Sequence, residues 1–435
     1  HRSSEGLWLG GLGGCYADLG QTERAIEHYQ QALAIAIETG HRSSEGLWLG
    51  GLGGCYADLG QTERAIEHYQ QALAIAIETG HRGIEGTALG NLGAHYATLE
   101  RTGRAVEYYE QALAIARETG DRSSEGSWLG GLGACCADLG QPARAVEYYE
   151  QALAIARETG DRSSEGSWLG GLGACCADLG QPARAVEYYE QALAIARETG
   201  DRSSEGSWLG RLGACCADLG QPARAVEYYE QALTIARETG DRRSEGSWLG
   251  AIGNSSADLG RTNQAIEYYE TAAEIGADIA NAQVQAEAGL GLAHARLDRE
   301  EWPEARRAAE AARSQGYGPA LPEVFAALGT AWLREGDHVN ADEAFSAALS
   351  AADTLLAGSN SMISVLYVKG LARAGQAVTG ERDAAQAARR AFETALAAAP
   401  LPGIRVRALR QFDLLAAADT RGVLAGIRPV LAGPS

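Results

Sequence analysis

Between Ser123 and Leu139, apolar residues recur at three- and four-residue spacing as Trp128, Leu129, Leu132 and Cys136. A second stripe follows at Ala145, Val146, Tyr149, Ala152, Leu153 and Ala156. Each stripe predicts an amphipathic helix with one face to bury. Asp121 and Ser123 are N-cap candidates for the first helix, and Glu125 sits in its first turn, where a carboxylate suits the helix dipole. Gly140 predicts a left-handed stop, and Pro142 suits the first turn of the second helix. Thr159 and Gly160 then close a helix–turn–helix unit.

The unit is 40 residues long and opens the chain twice in identical form, His1–Gly40 and His41–Gly80. It returns with small changes from His81, Asp121, Asp161, Asp201 and Asp241. A fixed period in this range predicts an all-α solenoid, because each hairpin buries its apolar face only against its neighbours. The period survives past residue 280 while identity decays. Asn281–Leu297 pairs with Trp302–Ser314, Pro322–Glu335 with Val339–Leu356, and Ser361–Gly375 with Arg382–Ala399. Pro400, Pro402 and Gly403 punctuate the end, and Ile404–Ala418 with Arg421–Leu431 are expected to cap the array. Three regions result: near-identical units over 1–280, divergent helix pairs over 281–399, and capping helices with a frayed tail over 400–435.

Three glycines, Gly130, Gly131 and Gly133, fall inside the first helix, each costing about 0.5–1 kcal/mol relative to alanine. Gly133 is expected to touch Ala145 closely, while Gly130 and Gly131 look dispensable and predict a softened array. The run Leu99-Glu100-Arg101-Thr102-Gly103 predicts an atypical turn in the third unit.

Leu12-Gly13, Tyr16, Gly20, Ala25, Tyr29 and Ala32-Leu33 together resemble the tetratricopeptide repeat, here with six residues added between units. The resemblance is strong over 1–280 and readable to about 399, at Gly329, Gly336, Ala344, Ala348 and Leu349. It implies a right-handed superhelix that binds partners on a concave face lined by first helices. Units of 40 residues ending in Ala-Ile-Ala-Arg-Glu-Thr-Gly-Asp-Arg resemble two subgroups. One is an animal adaptor family that orients the mitotic spindle. The other, which the near-identical copies and Ala-rich tail resemble more, is the C-terminal sensor of bacterial STAND NTPases with an NB-ARC-like module. The resemblance implies a bacterial, cytoplasmic recognition module within a larger signalling or defence NTPase. The alternative is a stand-alone scaffold or adaptor. No Gly-x-x-x-x-Gly-Lys-Ser/Thr occurs, and the chain starts mid-pattern at His1, so an NTPase or further repeats are expected upstream, with intramolecular contact to them.

Mapped through the Leu12-Gly13 register, the family's groove positions fall on Leu7, Gly10, Gly14, Ala17 and Asp18, and on Ser127, Gly130, Ala134, Ala137 and Asp138. Asp18, Asp58, Asp138, Asp178, Asp218 and Asp258 would form an acidic ladder, broken at Thr98. Two readings stand: the ladder receives Lys or Arg of an extended partner, or each aspartate decorates a helix end in water. Asn91 and Asn254 are read as the two places that keep the adaptor subgroup's peptide-clamping asparagine, with Gly11, Gly51, Gly131 and Gly171 elsewhere.

A formal charge of −20 disfavours nucleic acid or an anionic membrane as partner and favours a basic or mixed protein or peptide. No apolar window reaches membrane-spanning length. All eight cysteines lie in the repeats, on the apolar face and without Cys-x-x-Cys spacing, and read as buried reduced thiols. Trp8, Trp48, Trp128, Trp168, Trp208 and Trp248 read as core, with Tyr149 packed and Tyr148 at a rim. The histidines lack a catalytic or metal pattern, and Glu147 with Glu150, near Arg144, reads as salt-bridged surface. Neither enzyme chemistry, cofactor nor metal is expected in this chain. It is expected to be monomeric in dilute solution, although identical repeats leave end-to-end filaments open.

Overall fold

The computed structural model describes residues 2–358, 363–399 and 401–432. His1, Ser361, Pro400 and the last three residues of the expected tail lie outside them. Every regular element among the described residues is helical. Two compact units divide the chain, His1–Gly171 and Leu172–Ser435.

The first unit is built from helical hairpins. Helix α1 (Arg2–Asp18) pairs with α2 (Thr22–Thr39), α3 (Arg42–Asp58) with α4 (Thr62–Thr79), α5 (Arg82–Thr98) with α6 (Thr102–Thr119), and α7 (Arg122–Asp138) with α8 (Pro142–Thr159). Helix α9 (Arg162–Asp178) contains the boundary between units. The second unit continues with α10 (Pro182–Thr199), α11 (Arg202–Asp218), α12 (Pro222–Thr239), α13 (Arg242–Asp258) and α14 (Thr262–Asp278). Divergent pairs follow: α15 (Ala282–Asp298) with α16 (Trp302–Ser314), α17 (Leu321–Glu335) with α18 (His338–Gly358), and α19 (Ile363–Thr379) with α20 (Ala384–Ala398). Helices α21 (Pro402–Ala416) and α22 (Arg428–Ala432) end the chain. The expected helix over Arg421–Leu431 is thus shorter, with turns before Arg428. The predicted connection at Gln376–Glu381 is shorter too, because α19 continues to Thr379.

Local signals act as the sequence implies. Asp121 accepts the Ser124 amide at 3.0 Å, capping α7. Gly140 is left-handed at φ 67°, and its amide meets the Ala137 carbonyl at 2.9 Å. In the third 40-residue repeat Glu100 takes that conformation at φ 56°, which strains a side-chain-bearing residue by roughly 1–2 kcal/mol.

The helix-interior glycines are where the structure corrects the sequence reading. At Gly133 the nearest side chain is a ring of the paired helix α8. A methyl there would come within 2.9 Å of the Tyr149 ring. Gly131 faces the Tyr109 ring of the preceding hairpin in the same way, at 2.6 Å. Gly130 lies under the Trp168 indole, which fills the space a methyl would need. None of the three is spare: each lets a large ring lie flat on a helix backbone, and that burial offsets the helix cost. Trp128 rests on Gly90 and Trp48 on Gly10 in the same manner. Trp48 is buried, Trp128 and Trp168 are half-buried, and Trp8 is 74% exposed.

Hairpins are also joined by charge. Glu125, 8% exposed, accepts Arg117 Nε at 2.9 Å from the preceding hairpin and is also paired with Arg122 of its own helix. Burial pushes this carboxyl up, but the hydrogen bonds from both arginines outweigh it and hold it below the ordinary range. Its main role is therefore a joint between hairpins, in addition to its favourable place at the helix start.

Candidate functional site

Each aspartate of the ladder ends a first helix, which follows from the register of the 40-residue unit. Within the first unit, Asp18, Asp58 and Asp138 end α1, α3 and α7 and are exposed. Burial of its carboxyl shifts Asp138 upward. Thr98 stands in the gap and donates to the His95 carbonyl at 2.8 Å.

In the second unit Asp178 is exposed, whereas Asp218 and Asp258 are covered by the chain's own α21. Arg407 reaches Asp218 at 3.5 Å and Asp258 at 3.4 Å. Arg410 reaches Asp258 at 3.5 Å and Asp298 at 3.4 Å, and it donates to the Ala257 carbonyl at 3.0 Å. Each guanidinium thus bridges two successive rungs. The approach is close because Gly403 lies directly on the Ala217 carbonyl, where any side chain would collide. Desolvation raises Asp218 and Asp258, and the arginine charges offset part of that rise. Gln411 meets the His294 ring at 3.1 Å. Enclosure by protein, then the charges of Arg410 and Arg407, push His294 down to about 4, so it is neutral at pH 7.

Asp298 is a further rung that the sequence reading passed over, although it stands 40 residues after Asp258. Nothing in the sequence ties Arg407 or Arg410 to rungs about 150 residues earlier. Asn91 and Asn254 do not share a register. Asn91 aligns with Gly131, whereas Asn254 aligns with Ala134, one turn further, and accepts the Tyr269 hydroxyl at 2.8 Å. Ser127 is exposed and donates to the Ser123 carbonyl at 3.1 Å within its own helix.

Other candidate chemistry is quiet. Cys55, Cys135 and Cys215 are buried, and burial pushes Cys135 up to about 11 and Cys215 up to about 12, which keeps both thiols protonated. Cys15 is exposed. Arg144 reaches the Tyr148 hydroxyl at 3.3 Å rather than Glu147. Among the described residues no three His, Cys, Asp or Glu side chains converge as a metal site, and no helix is long and apolar enough to cross a membrane.

The tetratricopeptide repeat family profile matches overlapping segments from residue 4 to 278, and a second profile of that description matches 290–355. No curated protein sequence matches the chain. Among solved structures, it is similar to a signal transduction ATPase with numerous domains (STAND) protein with a tetratricopeptide repeat sensor from Pyrococcus horikoshii. That match has 18% identity and a TM-score of 0.56, covering 77% of this chain and 52% of that one. A Rap protein complexed with competence and sporulation factor matches at 13% identity and TM-score 0.52, over 82% of this chain and 99% of that one. Aspartyl phosphate phosphatase F from Bacillus subtilis matches at 16% identity and TM-score 0.51, over 67% and 75%. At these identities the likeness is one of fold.

Proposed function

The chain belongs to the tetratricopeptide repeat family, and on that premise we propose that it recognises a protein or peptide through lysines or arginines set against its first-helix aspartates. The observation that carries this reading is internal: Arg407 and Arg410 already bridge Asp218, Asp258 and Asp298. In the first unit Asp18, Asp58 and Asp138 carry the same group at the same register and stay exposed. Charge-assisted contacts of this type set selectivity and encounter rate.

The test uses the synthetic peptide Pro402–Ala416 as probe against the full chain and its D18N/D58N/D138N variant. Exposed pairs contribute roughly 0.2–1 kcal/mol each, so binding should weaken about tenfold, and its salt dependence should flatten. Equal affinity and equal salt dependence in both proteins would remove the reading.

The finer proposal is that this module is the sensor of a larger bacterial, cytoplasmic signalling NTPase, with the STAND-like fold as its support. A nucleotide-binding module encoded upstream in the same gene product favours it. A full-length product without one leaves a scaffold that joins two proteins.

A further inference from the structure

Tryptophan on glycine is the recurring joint of the array: Trp48 on Gly10, Trp128 on Gly90 and Trp168 on Gly130 in the first unit, and Trp248 on Gly210 in the second. At Gly250 the ring is missing. Ala288 stands in the register of Trp248, and a methyl built on Gly250 meets nothing within 4 Å. The backbone platform for an indole is therefore kept while the indole is gone.

That space belongs to a cavity of about 500 Å³ within the second unit. Gly250, Ala251 and Ala288 line it from α13 and α15, and α19 and α21 contribute its other wall through Tyr367, Ile404 and Ala408. Cavities of roughly 300–1,000 Å³ suit small organic ligands. Tyr367 is 2% exposed, and its hydroxyl has no hydrogen-bond partner among the described residues.

The lining holds more carboxyl groups than guanidiniums, and burial raises Glu287 and Glu323 above the ordinary carboxylate range. Asp218, Glu287, Asp298 and Glu323 face the cavity together with Arg407 and Arg410. Both guanidiniums are already held by Asp218, Asp258 and Asp298. Glu287 accepts only the Gln283 amide at 3.0 Å, and neither Glu287 nor Glu323 forms an ion pair among the described residues. The neighbouring Arg243 is bound to Gln283 Oε1 at 3.1 Å. Carboxylates in a partly dehydrated cavity gain from a cation brought to them.

We infer that this cavity binds a small arylalkylamine, its ring on the vacant platform between Gly250 and Ala288 and its ammonium among Glu287 and Glu323. The site is separate from the exposed aspartates of the first unit, so it stands or falls independently of the partner-binding proposal. Both halves of the ligand are dictated by what the cavity lacks: a flat ring and a positive charge.

Tryptamine is the probe, titrated calorimetrically into the full chain, with neutral indole alongside. Saturable one-site binding of tryptamine is expected, with indole at least about tenfold weaker. A288W rebuilds the Trp248-type joint, so it should keep or raise the melting temperature while weakening tryptamine at least about tenfold. E287Q/E323Q should weaken tryptamine by a similar factor and bring it level with indole, which keeps the test decisive if A288W folds poorly. Unchanged affinity in either folded variant, or no binding by the unmodified chain at millimolar tryptamine, overturns the inference.

Discussion

Gly130 and Gly50 occupy the same position of their first helices, yet alanine should act on them with opposite sign. Above Gly130 lies the Trp168 indole, and above Gly50 there is nothing within 4 Å, because the next hairpin carries Ala88. Alanine gains about 0.5–1 kcal/mol over glycine inside a helix. At Gly50 that gain stands alone, so G50A should stabilise by about that amount. At Gly130 the methyl and the indole cannot share the space. A tryptophan buries about 150–250 Å², and displacing the partly buried ring returns on the order of half of that to water. At about 25 cal/mol per Å² this costs about 2–3 kcal/mol, leaving G130A about 1–2.5 kcal/mol less stable than the parent. Urea unfolding followed by circular dichroism at 222 nm gives the ranking through the transition midpoint, a safer measure than an extrapolated free energy in a repeat array. The double variant G130A/W168A should be more stable than W168A alone by about the 0.5–1 kcal/mol helix gain of alanine, since the clash has been removed. A midpoint for G130A at or above that of G50A would refute the reasoning, and so would strict additivity in the double variant.

Two further outcomes follow from the charges and thiols. Glu125, Glu165, Glu205 and Glu245 are all held below the ordinary carboxylate value of 4.5, burial opposing and arginine hydrogen bonds prevailing. Their contribution is therefore complete above that value and is lost as pH falls through the lowered folded value. Urea midpoints should fall below about pH 4.5, and less steeply in E125Q. Iodoacetamide at pH 8 should modify Cys15 rapidly in the native chain and the remaining seven of eight cysteines only after denaturation, as counted by mass spectrometry. Rapid modification of Cys135 or Cys215 would contradict their burial.

Much of the architecture was legible because it is written repeatedly and locally. Gly140 and Pro142 mark a turn by their own backbone constraints, and the stripe from Trp128 to Cys136 needs no partner to be seen. The roles of Gly130 and Gly131 were hidden for the opposite reason. Their partners, Trp168 and Tyr109, belong to other hairpins, and only packing reveals that a ring needs a bare backbone there. Asp298 was visible in the register, as was the mismatch between Asn91 and Asn254. The contacts of Arg407 and Arg410 were not visible. Two arginines near the end of a chain carry no local sign of aspartates some 150 residues before them, and only the close approach allowed by Gly403 brings them together.

The tryptophan-on-glycine joint has a consequence for heredity. The copies from Asp121, Asp161 and Asp201 carry both halves of the fitting, a tryptophan in the ring register and a glycine in the platform register. Excision of one copy between Asp121 and Asp201 by recombination would join two surfaces that already match, and duplication would do the same. Array length is thus free to drift by whole copies without any compensating change in packing. Ala88 and Ala288 are the exceptions, since a copy moved to either place meets a joint without its ring. Those two positions act as fixed landmarks in a sequence otherwise able to lengthen and shorten.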